Sequence, residues 1–398
     1  MIRILLVPTS DFLGHPFPQR HNHIFERLGR HGDFEVHVVR FKLFERARLH
    51  TDLTIHELGS QSSKGVAQYY LVNALDHANQ IRRIVRQEKI DLLVLSNIAA
   101  PFAYTFMDRI SSLHAQIVVD LPDYFPTSAA GYLFDVNKTS GKMFAGLLDL
   151  PLRYMIRRAS LVTVASHALA GYAKNAGACK VALVPNGISE NFFTLADGGK
   201  IRKKLGFADE DLIIGYVGSI EFWLDMKCLI DAIARVKKKL PAKLLIIGKQ
   251  LQTNYSRMVS QWINRAGIEE QTTWLDFVPH QQVPEYMAGL SIGAIPFDIN
   301  NPTAFYAAPN KMWEYLSQSR PVIATPIPEI VRDSEAVFLA SNPDEWVSSI
   351  ELITREPEIT TRKTEIGRKK ALTRTWDKSA ETLATELDKL NASANKRP

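Results

Sequence analysis

The chain has 398 residues, 46% of them hydrophobic and 23% charged, with a formal net charge of +6. This is ordinary globular composition; it excludes a disordered or fibrous protein, and the length suits two sizeable domains. No apolar run approaches the roughly 18 residues of a membrane span, the opening apolar stretch is too short for a signal peptide, and two cysteines, Cys179 and Cys228, make neither a disulfide framework nor a zinc site. A soluble, cytosolic protein is expected.

Ile2 to Pro8 reads as a buried strand, with a helix from Asn22 to Arg30 after it. Glu35 to Val39 is the next strand. One long helix is predicted from Ala67 to Glu88, followed by strands at Asp91–Ser96, Gln116–Asp120 and Ala159–Ala165. Around Pro185 the pattern breaks into turn chemistry, and Ala196 to Lys200 is polar. A second series begins with the strand Leu212–Gly218, then a helix from Asp225 to Lys239 and strands at Lys243–Gly248, Thr273–Phe277, Ile292–Pro296 and Pro321–Ala324. Strand–helix alternation is the mark of a doubly wound parallel sheet, and here it occurs twice. The expected domains are residues 1–190, 200–375 and a terminal helix within 376–398.

Charge divides unevenly between the halves. Up to Pro185 there are 21 Lys and Arg against 15 Asp and Glu; beyond it there are 27 of each. The surplus points to an anionic partner for the first half. The balanced second half and the lack of an aromatic–basic repeat argue against nucleic acid.

Ligands of parallel sheets sit beyond the carboxyl ends of the strands. There, after the first strand, lies Gly14, ahead of a helix that starts near Arg20 and His21; no GxGxxG fingerprint is present. Asp120 and Asp123 close another strand and are placed to orient an acceptor hydroxyl or take its proton. Asp209-Glu-Asp211 imitates a metal-binding DxD but approaches a strand from its amino end, so it reads as solvated loop. The densest signal is Ala308-Pro309-Asn310-Lys311 ahead of a helix carrying Trp313, Tyr315 and Leu316. Backbone amides at a helix start suit a diphosphate, Lys311 adds a cation, and the Glu314 carboxylate can accept two ribose hydroxyls.

Ala165-Ser166, Val184-Pro-Asn-Gly187, Gly215-Tyr-Val-Gly218, Ile246-Ile-Gly248, Lys311-Met-Trp-Glu314-Tyr-Leu, Pro321-Val-Ile-Ala-Thr-Pro and Trp376 occur in order along the whole chain. The set resembles the family 4 retaining glycosyltransferases of the GT-B fold, in which two Rossmann-like, doubly wound parallel-sheet domains face each other across a cleft. The resemblance implies sugar transfer from a nucleotide-diphosphate donor, UDP-linked by default, with retention and without a metal ion or other cofactor. It implies an acceptor-binding first domain, a donor-binding second domain and a terminal helix crossing back to the first.

Residue by residue, the resemblance puts Gly14, Gly218 and Ser219 beside the diphosphate. Phe277 and Val278 lie near the base, Ala308, Pro309, Asn310 and Lys311 near phosphate and sugar, and Glu314 at the ribose. Three positions depart from the family's pattern. Tyr306 stands where the first of two paired glutamates belongs, eight residues before Glu314. Ser219 replaces a phosphate-binding arginine, and Lys227 is out of register for the partner lysine. Pro122 takes the place of a histidine, which makes the adjacent Asp123 the leading catalytic candidate of the first domain. A sugar-nucleotide epimerase and a catalytically silent sugar-nucleotide-binding subunit are the alternatives.

A last expectation concerns the acceptor, a glycan or lipid-linked precursor. Arg40-Phe-Lys-Leu-Phe-Glu-Arg-Ala-Arg48 mixes cations with Phe41, Leu43 and Phe44. Arg82, Arg83 and Arg86 stud one helix, and Arg153, Arg157 and Arg158 follow the apolar Met143 to Leu152 on another. Basic clusters beside apolar side chains suit peripheral attachment to an anionic membrane surface.

Overall fold

The structure, a computed structural model, describes residues 1–43, 47–61, 63, 65–110, 113–136, 138–248 and 253–394. The chain forms two compact units, one of Met1–Asn186 with Trp376–Pro398, the other of Gly187–Thr375.

The first unit holds a seven-stranded sheet: β1 (Ile2–Val7), β2 (Phe34–Arg40), β3 (Thr54–Glu57), β4 (Leu92–Leu95), β5 (Gln116–Leu121), β6 (Leu161–Val164) and β7 (Val181–Leu183). Their order is β3-β2-β1-β4-β5-β6-β7 and every pairing is parallel. β4 and β6 are buried at every position, as expected of central strands covered on both faces. The helices used below are α1 (Arg20–Gly29), α2 (Val66–Val72), α3 (Ala74–Gln87), α4 (Ala99–Ile110) and α5 (Thr139–Arg158). The sequence reading has one long helix where α2 and α3 stand. Asn73 breaks it: its amide bonds the carbonyls of Gln61 and Tyr69, and its side-chain oxygen accepts the Gln61 N–H. An asparagine that satisfies neighbouring backbone in this way competes with helix continuation.

The second unit holds six parallel strands: β8 (Leu212–Val217), β9 (Ala242–Ile247), β10 (Thr272–Leu275), β11 (Ile292–Ile295), β12 (Val322–Ala324) and β13 (Phe338–Leu339). Their order is β10-β9-β8-β11-β12-β13. Its relevant helices are α6 (Met226–Val236), α7 (Thr253–Ala266) and α8 (Asn310–Ser317). The last helix, α9 (Trp376–Ala394), belongs to the first unit although it ends the chain. Leu383, Leu387 and Leu390 are buried in that unit's core, each worth about 1.5–3 kcal/mol. Trp376 stacks on His23 of α1, and Arg27 pairs with Asp377 at 2.7 Å. Burial, not sequence order, fixes its place.

The basic segment after β2 departs from expectation. Phe41 is fully buried, edge-on to Tyr70 and packed against His77. Arg40 is buried too, bonded to Asp11 at 3.3 Å and Glu57 at 2.6 Å. Neither is surface, because the apolar ring completes the core and the guanidinium neutralises the buried Asp11. Phe44 and Arg46 lie outside the described residues. Among the described residues, no helix is long and apolar enough to cross a membrane.

Candidate active site

β8 runs out at Val217-Gly218-Ser219. Gly218 has φ +144°, a conformation L side chains rarely adopt. Space forbids a side chain as well: a Cβ there would lie 3.0 Å from Cε of Lys311 and 3.2 Å from Oη of Tyr216. On neighbouring β9, a Cβ at Gly248 would come within 1.8 Å of the Gly218 carbonyl oxygen. Two glycines therefore let the carboxyl ends of β8 and β9 close up, leaving Ser219 exposed at the edge where ligands of parallel sheets bind.

Against this edge stands α8. The buried hydroxyl of Tyr315 accepts the Val217 N–H at 2.8 Å and donates to the Gly215 carbonyl at 3.2 Å, bolting the helix to β8. Ala308 is half-buried and Pro309 buried; no side chain caps the helix start at Asn310. Its first-turn amides and the positive end of the helix dipole thus mark the start of α8. The Lys311 Nζ lies 5.2 Å from the ring centre of Tyr216 and 5.4 Å from that of Phe297. Glu314, one turn on, is half-buried. Burial pushes its carboxyl up to about 7, against the opposing pull of Lys311. A carboxyl poised there gains from hydroxyl donors that favour its ionised form.

The loop from Ser219 to Asp225 settles the register left open by the sequence. Asp225 caps α6, its side chain accepting the Cys228 N–H at 3.0 Å. Lys227 turns to Asp231, 2.6 Å away on the same helix. Among the described residues, Lys311 is a cation placed beside Gly218. Tyr306 is half-buried, edge-on to Phe305. After β10, Phe277 is exposed and Val278 buried. The second unit brings Gly218, Asn310 and Lys311 together, with Ser219 and Glu314 alongside. Gly14 and Asp123 belong to the other unit. Gly14 is buried in the turn after β1, and Asp123 is exposed two residues past β5.

Sequence reasoning missed three features. The first is the Tyr315 clamp. The second surrounds Asp120, whose carboxylate meets His21 Nε2 at 3.0 Å, the Arg20 guanidinium at 3.4 Å and the Thr163 hydroxyl at 2.7 Å. Burial alone would raise this carboxyl; the Arg20 charge, with His21 and Thr163, overrides that and holds it well below the usual carboxylate range. Arg20 also donates to Asn186 at 2.6 Å. Arg20 and His21, at the start of α1, are nearly buried partners of Asp120. The third is Glu221, fully buried with neither carboxyl oxygen hydrogen-bonded among the described residues. Its only advance signal is a glutamate flanked by Ile220, Phe222 and Trp223.

Asp209 and Asp211 sit ahead of β8, at its amino end. Their carbonyls accept from Arg202, and the Asp211 carboxylate accepts the Ala208 N–H at 2.9 Å. They are loop-forming residues. Among the described residues, no group of three His, Cys, Asp or Glu is placed to hold a metal ion.

Residues 211–355 match the model of the family described as Glycosyl transferases group 1. A protein of Bacillus subtilis (strain 168) named for teichuronic acid biosynthesis, the glycosyltransferase TuaH, is 25% identical over 232 residues, which are 56% of this chain and 55% of that protein. The chain thus aligns with about half the length of this curated relative. Among solved structures, Anabaena HepE in complex with UDP and glucose has a TM-score of 0.73 at 18% identity, covering 98% of this chain and all of that one. Sucrose-phosphate synthase from Thermosynechococcus elongatus has a TM-score of 0.81 at 13% identity, covering 99% of this chain and 100% of that one. At such identity these likenesses establish the fold, two parallel-sheet units of the GT-B type. With that fold and the matched second unit, the chain is similar to the group 1 glycosyltransferases of the GT-B type.

Proposed function

We propose that this protein transfers a sugar from a nucleotide-diphosphate donor to a hydroxyl acceptor, with retention at the anomeric carbon and without a metal ion. The observation that carries the reading is the placement of Lys311 against Gly218, in the first turn of a helix with an uncapped start that carries Glu314 one turn on. Oriented amides and one cation can stabilise the charge that gathers on a departing diphosphate, and Glu314 holds the ribose. In the step itself, the bond from the anomeric carbon to the diphosphate oxygen breaks. The acceptor oxygen bonds to that carbon from the same face, and its proton passes to the leaving phosphate oxygen. Asp123, exposed beyond β5, is the first unit's candidate for orienting that acceptor. UDP is the proposed nucleotide, supported by HepE, which was solved with UDP and glucose.

The acceptor is proposed to be lipid-linked, reached from an anionic membrane surface on the cytoplasmic side. Support comes from α5, where Met143, Leu147 and Leu150 are 67%, 61% and 62% exposed on one stripe. Phe134 packs against Phe144 at one end of it, and Phe106 of α4 against Tyr154 at the other. Exposed Lys138, Lys142 and Arg109 flank the stripe. An apolar band edged with cations fits an acidic bilayer surface.

Incubation with UDP-glucose, UDP-galactose and UDP-N-acetylglucosamine, scored for nucleotide release, tests the donor reading. Release of UDP with an α-linked product supports it. Release of an epimer with no transfer would favour the epimerase, and binding without turnover on any acceptor would favour the silent subunit. Sedimentation with phosphatidylglycerol vesicles tests the surface. Attachment at low salt should be lost in high salt and in Leu147→Glu/Leu150→Glu; a wild-type protein that stays in the supernatant contradicts it.

A further inference from the structure

Among the described residues of the second unit, Glu221 is a buried carboxyl that neither the fold nor the proposed ribose and phosphate contacts explain. It lies in the loop between β8 and α6, three residues after Gly218. Its side chain is 0% exposed, and neither carboxyl oxygen has a hydrogen-bond partner among the described residues. Buried polar groups in native proteins are nearly always hydrogen-bonded, and a methionine or leucine would fill the space without the desolvation cost. Packing therefore does not account for a glutamate here.

The surroundings tie the loop that carries this carboxyl to the carboxyl edge of β8. The Tyr216 hydroxyl donates to the Ser219 carbonyl at 2.8 Å, under the turn that leads to Glu221. The far side of the loop is fastened to the segment after β11: Asp225 N–H donates to the Pro296 carbonyl at 2.7 Å, and Asp298 N–H to the Trp223 carbonyl at 2.9 Å. That segment also carries Phe297, one of the two rings beside Lys311. Half-buried Phe222 and Trp223 pack edge-to-face at 5.0 Å beside Glu221. The resemblance read from the sequence places a sugar-holding carboxylate at 306, and that position is tyrosine.

We propose that Glu221 binds a hydroxyl of the transferred sugar, supplying from the β8 loop the carboxylate that position 306 lacks. This rests on the nucleotide-sugar reading above. Donor binding draws the carboxyl out from beside Phe222 and Trp223, and the sugar hydroxyls donate to its two oxygens. The same residue then selects among sugars by the placement of the hydroxyl it meets.

Ionisation gives the proposal its own signature. Burial raises the Glu221 carboxyl to about 7. Tyr216 of β8 and Tyr255 of α7, both pushed up by burial, stay neutral at that pH, while Asp225 and Asp298 flank the loop and the Lys311 cation lies beyond Tyr216. Hydroxyl donors favour the carboxylate, so sugar binding near pH 7 releases a proton. Glu314 also releases one, but on binding the ribose, with UDP alone.

Calorimetry of the full-length protein with UDP and with the three UDP-sugars named above, in buffers of different ionisation enthalpy at pH 7, separates the two. The wild type should bind its UDP-sugar more tightly than UDP and release additional protons. Glu221→Gln should bind UDP as the wild type does, lose roughly tenfold of the sugar's added affinity and lose the additional protons; Glu221→Ala should do the same. An unchanged sugar increment in both variants overturns the proposal. So does a joint fall in melting temperature and UDP affinity, which marks a structural role. A wild type that binds neither UDP nor any UDP-sugar overturns the donor reading beneath it.

Discussion

Two buried carboxylates near the carboxyl edges of the two sheets show opposite solutions to one problem. Asp120 in the first unit meets Arg20, His21 and Thr163, and its proton affinity drops. Glu221 in the second meets no hydrogen-bond donor among the described residues, and its proton affinity rises. A saturated carboxylate has no oxygen left for a ligand; its network ties α1, β5 and β6 together. An unsaturated one costs stability until a donor arrives. The first unit's buried charge is neutralised within its own network, while the second leaves Glu221 without a hydrogen bond among the described residues.

Breaking the saturated network gives the largest expected effect. Asp120→Ala leaves the Arg20 charge buried beside His21, and should cost about 3–5 kcal/mol in urea unfolding. A cost below about 1 kcal/mol would mean the network is loose. Because the native carboxyl is depressed, its contribution is complete above the ordinary carboxylate range and lost as pH falls below about 4. The variant should lack that part of the acid destabilisation.

Gly218→Ala comes next. The residue would be strained at φ +144° and its Cβ would press on Lys311, a strain of order 1–3 kcal/mol. UDP affinity should fall by about the matching factor of five or more, while the Asp120 network and its acid sensitivity stay intact. Unaltered UDP binding would detach Lys311 from the phosphate site. The smallest effect belongs to metal removal: turnover should survive EDTA. A loss that manganese or magnesium restores would return Asp209 and Asp211 to the site.

The fold was legible because fully buried parallel strands leave continuous apolar runs such as Leu92 to Leu95 and Ile292 to Ile295. Short edge elements were not: β7 and β13 have three and two residues and no periodicity to read. Phe41 and Arg40 misled because a residue string shows composition but not direction. The carboxylate contacts were hidden for a related reason. Asp120 depends on α1 and β6, 100 residues before it and 43 after, and no local pattern reports such pairing. Glu314 stood out as a candidate because its helix, its Lys311 and its loop are contiguous in the sequence. Glu221 did not, since its apolar neighbours Ile220, Phe222 and Trp223 hint at burial but not at an unpaired carboxyl.

The measurement closest to the central claim is the pH dependence of UDP affinity in the wild type and Glu314→Gln. If burial holds Glu314 near 7 and the ribose hydroxyls bind its ionised form, the wild-type Kd should tighten roughly tenfold more than the variant's between pH 6 and 8. Titration of the diphosphate itself is common to both proteins. The variant should bind at least about tenfold more weakly at pH 8, for the loss of a charge-assisted bond. Equal affinities and parallel pH profiles, with both proteins folded, would contradict the assignment of the donor site to α8.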